Sequence, residues 1–194
     1  LNHADLSSQW CLIHATHMTD DETARMAQTG AIAGLCPITE GNLGDGTFPA
    51  ETFLAQNGKF GIGSDSNVQI SIPSELRQLE YSQRLHHHSR NAIANVSSST
   101  GRTLFDHALA GGATALAADT GISAGKTANF ISLNTDEASY LSEDHILDAW
   151  IFAETITVGD VWVRGKKVVQ NGRHVARNHI APRFQTTMRN LLAS

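Results

Sequence analysis

The sequence predicts an α/β protein, and three observations lead to this class. Short apolar runs alternate with helical patterns as far as residue 120, and strand starts lie about 20–30 residues apart, as in βα repeats. Beyond Gly121 the pattern changes to Val-rich segments typical of a β-hairpin. The composition, 41% hydrophobic and 17% charged, is that of a globular chain. We therefore expect an α/β portion over 1–120, a β-containing portion over 121–175 and a C-terminal helix over 176–194.

Three strands are expected in the first portion, and each ends in small or polar residues. They are Trp10 to Ala15, Ala31 to Cys36 and Phe60 to Asp65. The first run has apolar side chains on both sides of the pleat, which indicates a strand buried on both faces, as in parallel sheets. Functional groups in such sheets lie at the carboxyl ends of the strands.

Helical patterns fill the segments between and after these strands. Thr19 and Glu22 have the spacing of a capping box, and Gly30 is a suitable C-terminal stop. Thr39 to Gly46 is polar and glycine-rich, so we expect a loop there. The remaining predicted helices are Pro49 to Gln56, Ser74 to about Ala94, Thr103 to Ala117, Asp144 to Phe152 and Pro182 to Ala193.

The apolar positions of the two long helices predict their buried faces. Leu85 belongs to the stripe of the Ser74 helix, while Leu104, Leu109 and Leu116 belong to that of the Thr103 helix. In the β-containing portion, Gly159 to Val169 predicts a hairpin that turns near Arg164.

Charge and composition exclude several classes of partner. The net charge is −5, and the 14 Lys and Arg residues form no basic run, which argues against nucleic acid or an anionic membrane. No apolar run approaches the length of a transmembrane helix, and no signal-peptide pattern is present. Cys11 and Cys36 fit a reducing compartment, so we expect a cytoplasmic protein. The chain begins at Leu1 without Met, and we expect either processing or a longer parent protein.

Candidates for chemistry lie at all three predicted strand ends: His14 and His17 after the first strand, the Thr39 to Gly46 segment after the second and Asp65 after the third. Asp65 follows Gly-Ile-Gly-Ser, a run expected to bury it, and a buried carboxylate needs a metal, an arginine or backbone donors. The alternative is that Asp65 caps the next turn. His14 ends the first strand, and the residues alone leave open a functional role or a hydrogen-bonded core histidine.

The other histidines and the cysteines are weaker candidates. His17 lies in the turn after the first strand, where we expect contact with solvent or a supporting role. The consecutive histidines at 86–88 would point about 100° apart on a helix, so they cannot share one metal face. Cys11 and Cys36 lack metal-ligand spacing and are expected to be small core residues.

Several motifs together resemble the amidohydrolase superfamily. They are His14-Ala15-Thr16-His17, Cys36-Pro37 with the Thr39 to Gly46 segment, Gly63-Ser64-Asp65-Ser66, and Asp160-Val161-Trp162-Val163 with Gly165. Within the superfamily the sequence is most similar to the formimidoylglutamate deiminase branch. The Asn-Leu-Gly-Asp-Gly segment at 42–46 distinguishes that branch from the guanine and S-adenosylhomocysteine deaminases.

The resemblance implies a metal-dependent hydrolase (β/α)₈ barrel beside a small β-sandwich. A barrel needs about 250 residues, more than this chain has. The three predicted strands correspond to barrel strands six, seven and eight, and 121–175 to part of the sandwich. The His-x-His of strand one and the histidine of strand five, which supply most metal ligands, would lie in a missing N-terminal half of the barrel. The implied full-length enzyme is a homodimer.

The resemblance also implies a reaction of histidine degradation. Zn²⁺, or another divalent metal, would acidify a water molecule. Asp65 would bind that metal and accept a proton, and His14 would polarise the water. The small-molecule substrate would be N-formimidoyl-L-glutamate, and the products N-formyl-L-glutamate and ammonia. Two alternatives remain: an aminohydrolase of the guanine, S-adenosylhomocysteine or cytosine deaminase type, and a non-catalytic α/β module. We expect the chain alone to be inactive.

Overall fold

The computed structural model describes residues 3–66 and 68–193. Within them the chain forms two compact units. The first contains the residues up to Thr120 together with Tyr140–Glu154, and the second contains Gly121–Ser139 together with the residues from Thr155 onward. The segment Tyr140–Glu154 therefore leaves the β-containing stretch of the sequence and joins the α/β unit.

A parallel sheet forms the centre of the first unit. In the described residues its strands are β1 (Cys11–Ile13), β2 (Ile32–Leu35) and β3 (Lys59–Ile62), in the order β1-β2-β3. The central strand β2 is almost entirely buried. The prediction that β1 is buried on both faces is wrong for this chain, because Ile13 is 56% exposed. β1 is an edge strand, and the described residues leave one of its faces uncovered.

The helices of the first unit connect and cover these strands. They are α1 (Asp20–Thr29), α2 (Pro37–Leu43), α3 (Ala50–Ala55), α4 (Ile72–His87), α5 (Thr100–Ala115) and α6 (Asp144–Phe152). The predicted capping box of α1 is confirmed: Thr19 Oγ1 accepts a hydrogen bond from the Glu22 amide at 3.3 Å, and Glu22 accepts one from the Thr19 amide at 3.0 Å. Gly30 ends α1 with φ of 76°, a left-handed conformation that favours glycine.

The predictions for α2 and α4 need correction. The segment from Thr39, which we expected to be a loop, is helical as far as Leu43 and belongs to α2. Pro37 occupies the first turn of this helix, and Gly44, with φ of 67°, ends it. The helix expected from Ser74 starts at Ile72 and ends at His87, and Leu85 is 79% exposed.

Helix α5 approaches β3 at Gly111, and two of the three leucines expected on its buried face are exposed. Leu104 is buried as predicted, but Leu109 and Leu116 are exposed. The other buried positions of α5 are Thr100, Gly101, Thr103 and Gly111. This face lets the helix backbone approach the strand closely, since a Cβ on Gly111 would lie 1.8 Å from the Phe60 carbonyl oxygen.

The second unit contains an antiparallel sheet and a helix. Its described strands are β4 (Phe130–Asn134), β5 (Thr157–Val163), β6 (Lys166–Gln170) and β7 (Arg173–His174), in chain order. The predicted hairpin is confirmed, with left-handed turn residues at Arg164 and Gly165. Helix α7 (Arg177–Leu192) starts before Pro182, which we expected to begin it. Across the described residues, no helix combines the length and hydropathy needed to cross a membrane.

Candidate active site

The structure brings the two candidate residues together at the carboxyl ends of the outer strands. His14 directly follows β1, and its amide donates to the Gly34 carbonyl of β2 at 2.9 Å. Asp65 follows β3. The Nε2 atom of His14 lies 3.8 Å from Oδ2 of Asp65. Strands that are not neighbours in the sheet therefore contribute one side chain each to the same place.

Both strand ends adopt a left-handed backbone. The φ angles are 64° at His14, 51° at Ala15 and 47° at Asp65. This conformation costs a non-glycine residue about 1–2 kcal/mol, less for Asp, and it is concentrated at functional sites. At these positions it turns the chain sharply out of the strand and directs the two polar side chains toward each other.

Asp65 is not buried as the sequence predicts, since its side chain is 49% exposed. The physical reason is that β3 ends at Ile62, so Asp65 lies beyond the strand in the following loop. Thr39 of α2 holds that loop on both sides of the aspartate. Its hydroxyl donates to the Ser64 carbonyl at 3.1 Å and lies 3.3 Å from the Ser66 amide, which donates to it.

Glu40 is a residue of the site that the sequence analysis did not single out within the Thr39 to Gly46 segment. It lies on α2, its side chain is 5% exposed, and its Oε1 is 3.2 Å from Nδ1 of His14. The same oxygen accepts a hydrogen bond from the Cys36 amide at 2.8 Å. The available signal was the glutamate itself, one turn after a buried strand, but its partner is 26 residues away in the chain.

Buried carboxyl groups set the electrostatics beneath the site. Burial raises the pKa of Glu40, and hydrogen bonds from the Cys36 amide and the His14 ring oppose that rise. Burial also raises the pKa of Glu75, which accepts a hydrogen bond from the Ile38 amide at 2.8 Å. Burial, reinforced by these negative neighbours, raises the pKa of Cys36 to about 11, so its thiol stays protonated at neutral pH.

The other histidines singled out by the sequence analysis lie at the surface. His17 is 79% exposed, and its Nε2 is 3.2 Å from Oδ1 of Asp45, which joins the turn after β1 to the Asn-Leu-Gly-Asp-Gly segment. The three histidines at 86–88 are exposed at the end of α4. One of them, His87, lies 3.6 Å from Glu51.

The described residues offer one ligand for a metal centre, Asp65, and not a complete set of ligands. The carboxylate of Asp65 is an oxygen donor of the kind that Zn²⁺ accepts. Among the described residues, however, no group of three or more His, Cys, Asp or Glu side chains could hold a metal ion. A catalytic zinc centre uses about three protein ligands. Any such centre would need ligands from outside residues 3–66 and 68–193.

Comparison with known proteins identifies the family of the chain. The sequence profile of the amidohydrolase family matches residues 3–168. The chain belongs to the amidohydrolase family. It is 46% identical over 192 residues to formimidoylglutamate deiminase of Pseudomonas aeruginosa, and the match covers 96% of this chain and 42% of that enzyme. This amidohydrolase chain thus spans less than half the length of that curated relative.

Solved structures agree with the family assignment. The crystal structure of an amidohydrolase from Brucella melitensis superposes with a TM-score of 0.94 at 54% identity, covering 98% of this chain and 43% of that one. An adenosine deaminase from Xanthomonas campestris with bound zinc has a TM-score of 0.77 at 22% identity, covering 95% and 44%. The second similarity shows the fold alone. The mixed α/β architecture of this chain is therefore that of amidohydrolases.

Proposed function

We propose that this chain is part of a formimidoylglutamate deiminase, which hydrolyses N-formimidoyl-L-glutamate to N-formyl-L-glutamate and ammonia in histidine degradation. The observation that carries the proposal is the 46% identity to an enzyme of that name over nearly all of this chain. The coarser assignment, a hydrolase acting on a C–N bond, rests on the amidohydrolase family itself. The separation of His14 and Asp65 supports it chemically.

The two side chains act on the attacking water. A carboxylate oxygen and a ring nitrogen 3.8 Å apart can both accept hydrogen bonds from one water molecule lying about 2.8 Å from each. Asp65 takes a proton from this water as its oxygen bonds to the formimino carbon, and His14 holds the water's second hydrogen. Asp65 passes that proton to the imino nitrogen, so the tetrahedral carbon then carries a hydroxyl and an amino group. As the C–N bond breaks, the hydroxyl proton is transferred through His14 to the same nitrogen, the oxygen becomes the formyl carbonyl oxygen and ammonia leaves.

The proposed enzyme depends on a divalent metal, with Zn²⁺ as the first candidate. When bound, such an ion would lower the pKa of the attacking water molecule toward neutrality. Asp65 is the ligand that this chain contributes. The other ligands would come from the part of the barrel that this chain does not contain.

The open edge of β1 supports the same proposal. β1, β2 and β3 would be barrel strands six, seven and eight, and the second unit would be part of the β-sandwich. In that arrangement the free edge of β1 pairs with a strand of the N-terminal half. The side chains on its uncovered face, including the half-exposed Ile13, are then covered as well. We propose a homodimeric cytoplasmic enzyme as the complete assembly.

Co-expression tests this proposal directly. Residues 1–194 are produced alone and together with an upstream segment that supplies the remaining barrel strands, and ammonia release from N-formimidoyl-L-glutamate is measured. We expect activity only on co-expression. The same assay is repeated with His14→Asn in the co-expressed chain. His86→Asn, at the exposed end of α4, is the matched control for that variant. Activity of the 194-residue chain alone refutes the divided site, and hydrolysis of a purine or pyrimidine instead refutes the substrate.

A further inference from the structure

The buried carboxylate of Glu40 has a second contact that helix capping does not explain. Its Oε1 accepts the hydrogen bond of the Cys36 amide at 2.8 Å, which already satisfies a free amide at the start of α2. The same atom also lies 3.2 Å from Nδ1 of His14. Burying a carboxylate is costly unless it is hydrogen-bonded. A shorter or neutral side chain could cap the helix at a lower cost.

Building on the proposed function, we infer that Glu40 is a positioning residue: it accepts the Nδ1–H of His14 and keeps the Nε2 lone pair of the neutral ring turned toward Asp65 and the reacting water. A neutral imidazole carries one hydrogen, and Oε1 of Glu40 is already an acceptor, because the Cys36 amide donates to it. Contact with Glu40 therefore places the hydrogen on Nδ1. The other nitrogen, Nε2, is the one that lies 3.8 Å from Asp65.

The opposite tautomer would not serve the proposed reaction. With the hydrogen on Nε2, that nitrogen would be a donor and could not accept the second hydrogen of a water molecule lying between it and the Asp65 carboxylate. The hydrogen bond made by one ring nitrogen determines the role of the other. His14 lies beyond the end of β1, in a left-handed backbone conformation, and its Nδ1 contacts Glu40.

Glu75 of α4 is a matched control, because it also accepts a hydrogen bond from an amide at the start of α2. It is 1% exposed, and its Oε2 accepts a hydrogen bond from the Ile38 amide at 2.8 Å. Glu75 therefore shares with Glu40 the burial and the capping of α2. The contact with the His14 ring belongs to Glu40. Equivalent substitutions at the two positions separate a structural role from a positioning role.

The test reads the tautomer of His14 by NMR in the complete enzyme labelled with ¹⁵N-histidine. The His14 signals are assigned with the His14→Asn variant, at a pH of about 8 where an ordinary histidine is neutral. We expect the hydrogen on Nδ1 in the wild type, in Glu40→Gln and in Glu75→Met. Glu40→Gln keeps an oxygen acceptor at the same place. We expect Glu40→Met, which removes it, to shift the hydrogen toward Nε2.

Kinetics on the same variants provides the second readout. We expect Glu40→Met to lower kcat by about 10²-fold, with KM changed by less than about threefold, as when an orienting partner of a histidine is lost. Glu40→Gln should stay within about tenfold of the wild type. Glu75→Met should be less stable but keep its kcat.

The outcomes distinguish this inference from the proposed function. If His14→Asn is inactive while Glu40→Met keeps the wild-type tautomer and kcat, Glu40 has no positioning role although the proposed function stands. If His14→Asn turns over normally, the proposed function itself fails. If Glu40→Met does not fold, the wild-type spectrum tests the inference by itself. A hydrogen on Nδ1 of His14 supports the inference, and a hydrogen on Nε2 overturns it.

Discussion

Replacing Gly111 by alanine should separate α5 from β3 and disturb the site at the end of that strand. The added Cβ would lie 1.8 Å from the carbonyl oxygen of Phe60 and 2.3 Å from its carbonyl carbon. Helix or strand must move by about 1.5 Å before the new carbon reaches an ordinary contact. The obstacle is the backbone of a buried strand, so no side-chain rotation relieves it.

The magnitude follows from two opposing effects. Overpacking of a core costs about 1–3 kcal/mol, and a backbone clash belongs at the upper end. Alanine returns about 1 kcal/mol through its higher helix propensity. We expect Gly111→Ala to lower the free energy of unfolding by about 2 kcal/mol. A displacement of β3 also moves the Asp65 loop, so kcat of the complete enzyme should fall as well.

The neighbouring glycine is the control. A Cβ on Gly112 meets no atom within 4 Å, although the residue lies on the same helix. Gly112→Ala should therefore stabilise the protein by about 0.5–1 kcal/mol. Thermal unfolding of the complete enzyme measures both variants side by side. Equal midpoints for the two, or a higher midpoint for Gly111→Ala, would show that the close approach of α5 and β3 is not present.

Three further predictions concern the carboxylates and the histidine of the site. Asp65→Asn, which tolerates the left-handed backbone, should fold normally and lose several powers of ten in kcat in steady-state assays; near-normal turnover would contradict its role as ligand and base. His14→Asn should lower kcat strongly while metal analysis finds bound zinc near the wild-type level, and a collapse of zinc content would make His14 a ligand. Burial raises the pKa of Glu75, so the folded state binds that proton more tightly than the unfolded state. The associated stability is complete below the ordinary glutamate pKa and is lost as pH rises through the folded value. In urea unfolding, Glu75→Gln should therefore be more stable than the wild type near neutral pH, with the advantage shrinking toward about pH 4; a pH-independent difference would exclude this origin.

The features that the sequence predicts correctly depend on neighbours in the chain. The α1 capping box needs only Thr19 and Glu22, three positions apart, and both of its hydrogen bonds form. The hairpin of β5 and β6 follows from Val-rich segments around a turn at Arg164 and Gly165. In each case the physical cause acts within a few residues, so it can be recognised without knowing the rest of the fold.

The errors arise where distant parts of the structure decide. The apolar positions of α5 predicted burial for Leu109, but the helix meets β3 through Gly111 instead, and a strand 50 residues earlier determines that choice. Ile13 was expected to be buried because a parallel strand normally has covered faces. Ile13 is exposed because no helix or strand of the described residues packs against that face of β1.

Helix α2 explains why the two candidate residues could be predicted separately while their connection could not. Two consecutive positions of this short helix hold the site: Thr39 hydrogen-bonds the loop on both sides of Asp65, and Glu40 contacts the ring of His14. The sequence analysis took this segment for a loop and so gave it no positioning role. Once it is a helix, its backbone fixes Thr39 and Glu40 relative to each other, and through them the strand ends of β1 and β3. The separation between His14 and Asp65 is therefore a property of α2 as much as of the sheet, and a disturbance of α2 should act on both proposed roles together.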